Sequence, residues 1–218
     1  MGKRFDLIVF DWDGTLLDST GAIVAAVQAA CRDLGIPEPS DEHVSQVIGL
    51  GLADALRHSA PNLSEDRLPQ MVERYRYHYL SGDKELSLFD GASELVSELH
   101  SAGFMLAVAT GKSRQGLNRA LEYSGLGAYF PVSRCADECF SKPHPQMLLE
   151  LMDEYSVEPE KVLMIGDTTH DLQMAINAGV HGLGVAYGAH SAKALDTLQS
   201  LARLNTLGEL TLWLRENA

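Results

Sequence analysis

Four short runs of apolar residues punctuate this chain: Phe5 to Phe10, Phe104 to Ala109, Val162 to Ile165 and Gly182 to Ala186. Apart from Asp6 they are nearly continuous rather than alternating, the pattern of strands buried on both faces of a parallel sheet. Before and between the last three lie stretches with helical periodicity, Ala92 to Ala102, Ser113 to Tyr123, Pro145 to Tyr155 and His170 to Ala178, and a further one begins near Ser191. Several of these end in glycine, as in Ala102-Gly103, Ser124-Gly125 and Ala178-Gly179, where a left-handed C-terminal cap is expected. Strand and helix in alternation predict an α/β fold, a doubly wound parallel sheet (a Rossmann-like core) with right-handed crossovers.

The interval between the first two apolar runs breaks that rhythm, because residues 14–103 are far more than one crossover helix requires. From Ser19 to Ser81 the pattern is helical throughout, with apolar groups at Ile23 to Val27, Val44 to Ile48, Leu52 to Leu56 and Met71 to Leu80. Turn signals at Gly35 to Ser40 and at Ala60-Pro61-Asn62 separate them, and Ser40-Asp41-Glu42 reads as a helix start with acids in its first turn. An α-helical cap over residues 18–83 is therefore predicted, inserted into a core made of 1–17 and 84–218. Hinges are expected near Leu17-Asp18 and Ser81-Gly82-Asp83.

Composition narrows the partners. The chain has 218 residues, 45% of them hydrophobic and 22% charged, which suits a globular protein with one sizeable core. Seventeen basic against 30 acidic residues leave a formal charge of −13, which disfavours extended contact with nucleic acid or an anionic membrane. No apolar run approaches the ~20 residues that a membrane span needs. The segment Met1 to Asp6 lacks a signal-peptide core, so a cytoplasmic location is expected. Cys31, Cys135 and Cys139 then read as reduced thiols. The last two are spaced to meet on a helix, but His144 alone is a poor supplement for a zinc site.

Ligands of a parallel sheet gather beyond the carboxyl ends of its strands. The first strand delivers Asp11 and Asp13 around Trp12, and spacing by two aims both acids to one side. Carboxylates this close repel unless a cation separates them. The second strand delivers Thr110-Gly111-Lys112, a hydroxyl and a glycine amide suited to an anion. The third run delivers Gly166-Asp167 and, four residues on, Asp171, while Lys142 sits upstream in a loop stiffened by Pro143 and Pro145. Each has a plain structural alternative: an ordinary strand-to-helix turn for Thr110-Gly111, a solvated charge for Lys142, helix caps for Asp167 and Asp171. Taken together, acid pair, hydroxyl, lysine and acid pair at and between successive strand ends point to one functional site rather than to four unrelated turns.

Asp11-Trp12-Asp13-Gly14-Thr15, Thr110-Gly111, Lys142 and Gly166-Asp167 with Asp171 resemble the four motifs of the haloacid dehalogenase-like hydrolases, over essentially the whole chain. A helical insert after the first motif is similar to the subgroup with an α-helical cap. Asp13 to Ser19 and Ile48-Gly49-Leu50-Gly51 resemble bacterial phosphoglycolate phosphatases and their near relatives. The resemblance implies a phosphatase acting on a small-molecule phosphate ester, with 2-phosphoglycolate favoured. It implies Asp11 as nucleophile, Asp13 as general acid and base, and Thr110, the Gly111 amide and Lys142 as holders of the phosphate. It also implies Mg²⁺ held by Asp11, the Asp13 carbonyl and Asp167, with Asp171 acting directly or through water, more in keeping with the outer position. Within the family an acid at position 13 separates phosphate chemistry from dehalogenation, and the absence of lysine from Ser19 to Ser81 disfavours phosphonate hydrolysis. A sugar-phosphate mutase of the β-phosphoglucomutase kind, an inorganic pyrophosphatase and, further off, a non-catalytic regulatory protein are the competing readings. In the cap, Arg57 with His58 is the expected contact for a substrate carboxylate, set against an ordinary solubilising role, and Arg74 to Tyr79 reads as a helix with one buried aromatic side.

Overall fold

The computed structural model describes residues 3–82 and 86–218. Met1, Gly2, Asp83 of the expected second hinge and the expected core boundary at residue 84 lie outside the described residues.

The first strand, β1 (Leu7–Phe10), is buried at all four positions. Ile8 and Phe10 face one hydrophobic core and Leu7 and Val9 face a second, which is why the run is apolar without alternation. Each such side chain contributes roughly 1.5–3 kcal/mol on burial. Four helices follow: α1 (Thr20–Asp33), α2 (Asp41–Ser45), α3 (Leu52–Ser59) and α4 (Leu68–Gly82). They enclose an apolar cluster of their own that includes Val27, Val44, Ile48, Leu56 and Met71. At the start of α2 the Ser40 hydroxyl accepts the His43 amide, the cap that the sequence suggests. The chain leaves for this lobe and returns side by side: the Asp18 amide donates to the Ser87 carbonyl (3.0 Å) and the Phe89 amide to the Leu16 carbonyl (3.0 Å).

After the lobe come α5 (Ala92–Ser101), β2 (Met105–Thr110), α6 (Arg114–Ser124), β3 (Val132–Cys135), α7 (Gln146–Tyr155), β4 (Val162–Gly166), α8 (Thr169–Ala178), β5 (His181–Val185), α9 (Ala192–Leu195), β6 (Arg203–Leu204) and α10 (Leu207–Asn217). Among the described residues six strands form one sheet in the order β3-β2-β1-β4-β5-β6, and every pairing in it is parallel. Leu7 registers against Met105 on one side and Val162 on the other, so β1 is the line from which the strand order runs outward both ways. Residues of α5, α6 and α10 pack on one face of the sheet and residues of α7 and α8 on the other. The doubly wound α/β architecture is thus as expected. Three elements lack a counterpart in the expected set: the edge strands β3 and β6 and the terminal helix α10. Cys135 ends β3 and Cys139 lies in the turn beyond it, so the two do not share a helix; all three thiols are free. No described helix is long and apolar enough to cross a membrane.

Candidate active site

Asp11 emerges from the centre of the sheet one residue past β1 and is buried. Trp12 turns the other way into the core, edge-on to Phe130, so the intervening residue anchors the pair of acids. Asp167, one residue past β4, and Asp171 in the first turn of α8 bring their carboxylates to the same point. One oxygen from each of Asp11, Asp167 and Asp171 lies within 4.8 Å of the others, and all three residues are buried. Lys142, on the loop after β3, reaches into this cluster with its ammonium 2.9 Å from Asp11 Oδ1 and 2.6 Å from Asp171 Oδ1. Against three carboxylates it supplies one positive charge.

The supports differ from acid to acid. Asp171 is the third residue of a capping box on α8: its Oδ2 accepts from the Thr168 amide (3.1 Å) and hydroxyl (2.7 Å), and Thr168 in turn caps the helix. Asp167 accepts the Thr15 hydroxyl on Oδ1 (2.8 Å) and the Ala189 amide on Oδ2 (2.7 Å). Asp11 is paired with Lys142 through Oδ1, while its Oδ2 is buried with no hydrogen-bond partner among the described residues. Burial pushes the Asp11 carboxyl up to about 7; Lys142 draws it back and Asp171 adds to the rise. Asp167 is raised well above the carboxylate range by burial and then by the charges of Asp11 and Asp171. Burial draws the Lys142 ammonium down, but the attraction of Asp11 and Asp171 outweighs it and leaves the group above its usual range.

A divalent cation fits these facts. The donor atoms are all carboxylate oxygens, hard ligands that suit Mg²⁺ and offer nothing to a soft metal. The unpartnered Oδ2 of Asp11 is an atom that a cation would satisfy. Room for Asp167 is secured by glycine: a Cβ on Gly14, whose φ is +77°, would lie 2.2 Å from Asp167 Oδ2.

Asp13 is held apart from that cluster. Its Oδ1 accepts the Ser19 hydroxyl at 2.6 Å and stands 2.9 Å from the Lys112 ammonium. Asp13 and Asp11 both line a cavity of about 140 Å³ between core and cap. Thr110 and Gly111 line it too, with Thr110 buried at the end of β2 and its hydroxyl accepting the Lys112 amide (3.2 Å). The cap side includes the aliphatic Ile23, Val47, Ile48 and Leu52 together with Tyr75, Tyr79 and Arg76, and Arg119 of α6 lines the core side. The cap is seated closely. A Cβ on Gly111 would come within 2.5 Å of the Leu50 carbonyl. The Gly51 amide donates to Ser141 Oγ (2.8 Å), and the His170 and His190 rings both contact the Gln46 carbonyl.

The structure thus gathers Asp11, Asp13, Thr110, Gly111, Lys142, Asp167 and Asp171 around one place. Arg57 is the exception and corrects the expectation for it. Its guanidinium is bound to Asp54 (3.1 Å) and Glu65 (3.0 Å) on the outside of the cap and does not line the cavity. On α3 the neighbouring Leu56 takes the inward face, which turns Arg57 about 100° away toward solvent.

The core of the chain, residues 8–185, matches the family model described as haloacid dehalogenase-like hydrolase. The chain belongs to the haloacid dehalogenase-like hydrolases. It is 35% identical over 210 residues to the protein of Dickeya dadantii (strain 3937) named Probable phosphatase IndB, covering 94% of this chain and 91% of that one. It is 34% identical over 214 residues to the phosphoglycolate phosphatase of Vibrio parahaemolyticus serotype O3:K6, covering 94% and 93%. Among solved structures, a hydrolase from Pseudomonas syringae superposes with a TM-score of 0.88 at 22% identity over 98% of both chains, a likeness of fold. This haloacid dehalogenase-like hydrolase is a phosphatase. Four features of its site were not foreseen. They are Lys112 and Ser19 on Asp13, Tyr79 beside Lys112, and the Gly188-Ala189 turn under Asp167. Lys112 directly follows the Thr-Gly pair and offered a signal; Ala189 acts through its backbone and offered none.

Proposed function

We propose that this phosphatase hydrolyses small phosphate monoesters through an aspartyl-phosphate on Asp11, with Mg²⁺ as cofactor and 2-phosphoglycolate as the favoured substrate. The observation that carries the reading is the buried carboxylate of Asp11, its Oδ2 without a partner, facing Asp167 and Asp171 with Lys142 among them. Asp11, Asp167 and the Asp13 carbonyl would hold the cation, and Asp171, whose oxygens are already engaged, would act from behind them. Bound there, Mg²⁺ supplies the positive charge that lets an anionic carboxylate approach an anionic ester.

Asp11 attacks phosphorus, the bond from phosphorus to the ester oxygen breaks, and the departing alkoxide takes a proton from Asp13. Asp13 then removes a proton from water, which attacks the same phosphorus and releases inorganic phosphate with Asp11 restored. Thr110, the Gly111 amide and Lys142 hold the non-bridging oxygens as charge shifts among them. Seated as it is on Gly111 and Ser141, the cap restricts water and sets the size of the alcohol part. Its cavity of about 140 Å³ suits a small substrate, since an apolar cavity of ~150 Å³ takes up benzene. The phosphoglycolate phosphatases among its relatives and the cationic Arg76 and Arg119 in the cavity wall support a carboxylated alcohol part.

Release of inorganic phosphate from 2-phosphoglycolate and from other phosphate monoesters, with Mg²⁺ or with EDTA, tests the reading. Turnover that depends on Mg²⁺ and is abolished in a folded Asp11→Asn variant is the expected result. Near-normal turnover by Asp11→Asn would remove the nucleophile assignment, and a uniformly better ester would replace phosphoglycolate.

A further inference from the structure

We propose that Lys112 is a positioning residue for Asp13, through which the seating of cap helix α4 sets the geometry of proton delivery to the leaving group; this rests on the hydrolase reading above. The Lys112 ammonium stands 2.9 Å from Asp13 Oδ1 and donates to the Tyr79 hydroxyl at 3.0 Å. Lys112 belongs to the core loop after β2, whereas Tyr79 belongs to α4 in the cap. One side chain therefore touches both lobes and the proposed general acid.

The contacts on Asp13 are unequal in a way that matters. Ser19 Oγ (2.6 Å) and Lys112 Nζ (2.9 Å) both engage Oδ1, which leaves Oδ2 as the oxygen available to a group in the cavity that Asp13 lines. Two contacts on one oxygen fix the rotation of a carboxylate about its last bond, a torsion that is otherwise broad. The Asp13 and Lys112 side chains are only about a tenth exposed, at 11% and 10%, so water screens the pair weakly. Tyr79 is itself fixed, its ring stacked on Tyr75 with centroids 5.7 Å apart. A misplaced cap would thus move Tyr79, release Lys112 and let the Asp13 carboxylate swing. Correct closure and correct aim of Oδ2 become one event, so that an ester that does not permit the cap to seat is cleaved poorly even where its phosphate binds.

The test uses the Mg²⁺-loaded enzyme and two esters that differ in their need for a proton. p-Nitrophenolate departs unprotonated, whereas the alkoxide of 2-phosphoglycolate does not, and kcat/KM reads only the steps through phosphoryl transfer to Asp11. Lys112→Met should lower kcat/KM for 2-phosphoglycolate at least about tenfold more than for p-nitrophenyl phosphate, within the ~10²–10⁴-fold span of general acid catalysis. Tyr79→Phe should shift the same ratio in the same direction by less, and Lys112→Arg should restore most of it. Equal losses on the two esters, with thermal melts unchanged, would overturn the assignment. So would an unchanged ratio in Lys112→Met, or a ratio moved by Lys112→Met but not by Tyr79→Phe. A wild-type enzyme that cleaves neither ester would overturn the reading of 2-phosphoglycolate as substrate and this assignment with it.

Discussion

Lys142 and Asp171 form a fully buried ion pair with Nζ and Oδ1 2.6 Å apart. Neither partner is available to solvent, and the lysine also serves Asp11 at 2.9 Å. In the proposed function, Lys142 would meet the phosphate as a group already fixed from behind.

Removing that lysine should be costly before any chemistry is considered. Lys142→Met leaves Asp11, Asp167 and Asp171 as buried acids without their internal cation. Breaking a buried pair from one side typically costs about 3–5 kcal/mol. Urea unfolding in EDTA should register a loss of that size, and Mg²⁺ should return part of it. An unchanged unfolding midpoint in EDTA would mean that Lys142 does not hold the cluster together.

The same cluster makes stability depend on pH when no metal is present. The Asp11 carboxyl keeps its proton to about 7 in the fold against an ordinary 3.8, so over that interval the folded protein binds more protons than the unfolded chain. Stability from this group is full below the lower value and is lost as pH rises through the interval. Asp167 shifts in the same direction. Melting in EDTA should thus occur at a lower temperature near pH 8 than near pH 5, and Mg²⁺ should raise the melting temperature more near pH 8. An Mg²⁺ effect equal at both values would contradict the assignment of the cation to these acids.

The fold was legible wherever a strand had both faces covered. β1, β2, β4 and β5 carry apolar runs because two cores need them, as Leu7 with Val9 and Ile8 with Phe10 illustrate. The edge strand β3 reads Val-Ser-Arg-Cys, with Arg134 only partly buried, and β6 has two residues; neither writes a hydrophobic pattern. α10 did carry a signal, in Leu207, Leu210 and Leu214 at helical spacing on one buried face. Strand ends announced the acids because four loops meet along one sheet edge. Lys112 with Tyr79 was not announced, since 33 residues separate them and only the docking of cap on core joins them. The outward turn of Arg57 was not legible, since its place in the sequence does not say which way α3 faces.

That orientation gives a negative prediction with content. Arg57→Ala removes exposed contacts to Asp54 and Glu65 and nothing from the cavity wall. Exposed ion pairs contribute little, so kcat/KM for any accepted ester should stay within about twofold of wild type. A larger fall confined to carboxylated esters would show that Arg57 reaches the substrate in a state with a different cap position.

The turn under Asp167 supplies the sharpest steric test. A Cβ at Gly188 would lie 2.2 Å from Asp167 Oδ2 and 2.3 Å from the Gly14 carbonyl, distances that no rotamer relieves because one of the atoms is backbone. Gly188 lies outside the left-handed region, so alanine brings collision there without backbone strain. Asp167 must give way, and with it the oxygen next to the Ala189 amide. Displacing the support of a metal ligand typically costs ~10–100-fold in metal affinity. Gly188→Ala should therefore raise the Mg²⁺ concentration for half-maximal activity by about that factor, while activity at saturating Mg²⁺ falls less. Gly21→Ala is the control: it sits in α1 with nothing within 4 Å of its added carbon. Alanine there should gain up to ~1 kcal/mol of stability and leave the Mg²⁺ dependence alone. Equal Mg²⁺ curves for the two variants would place the cation away from Asp167.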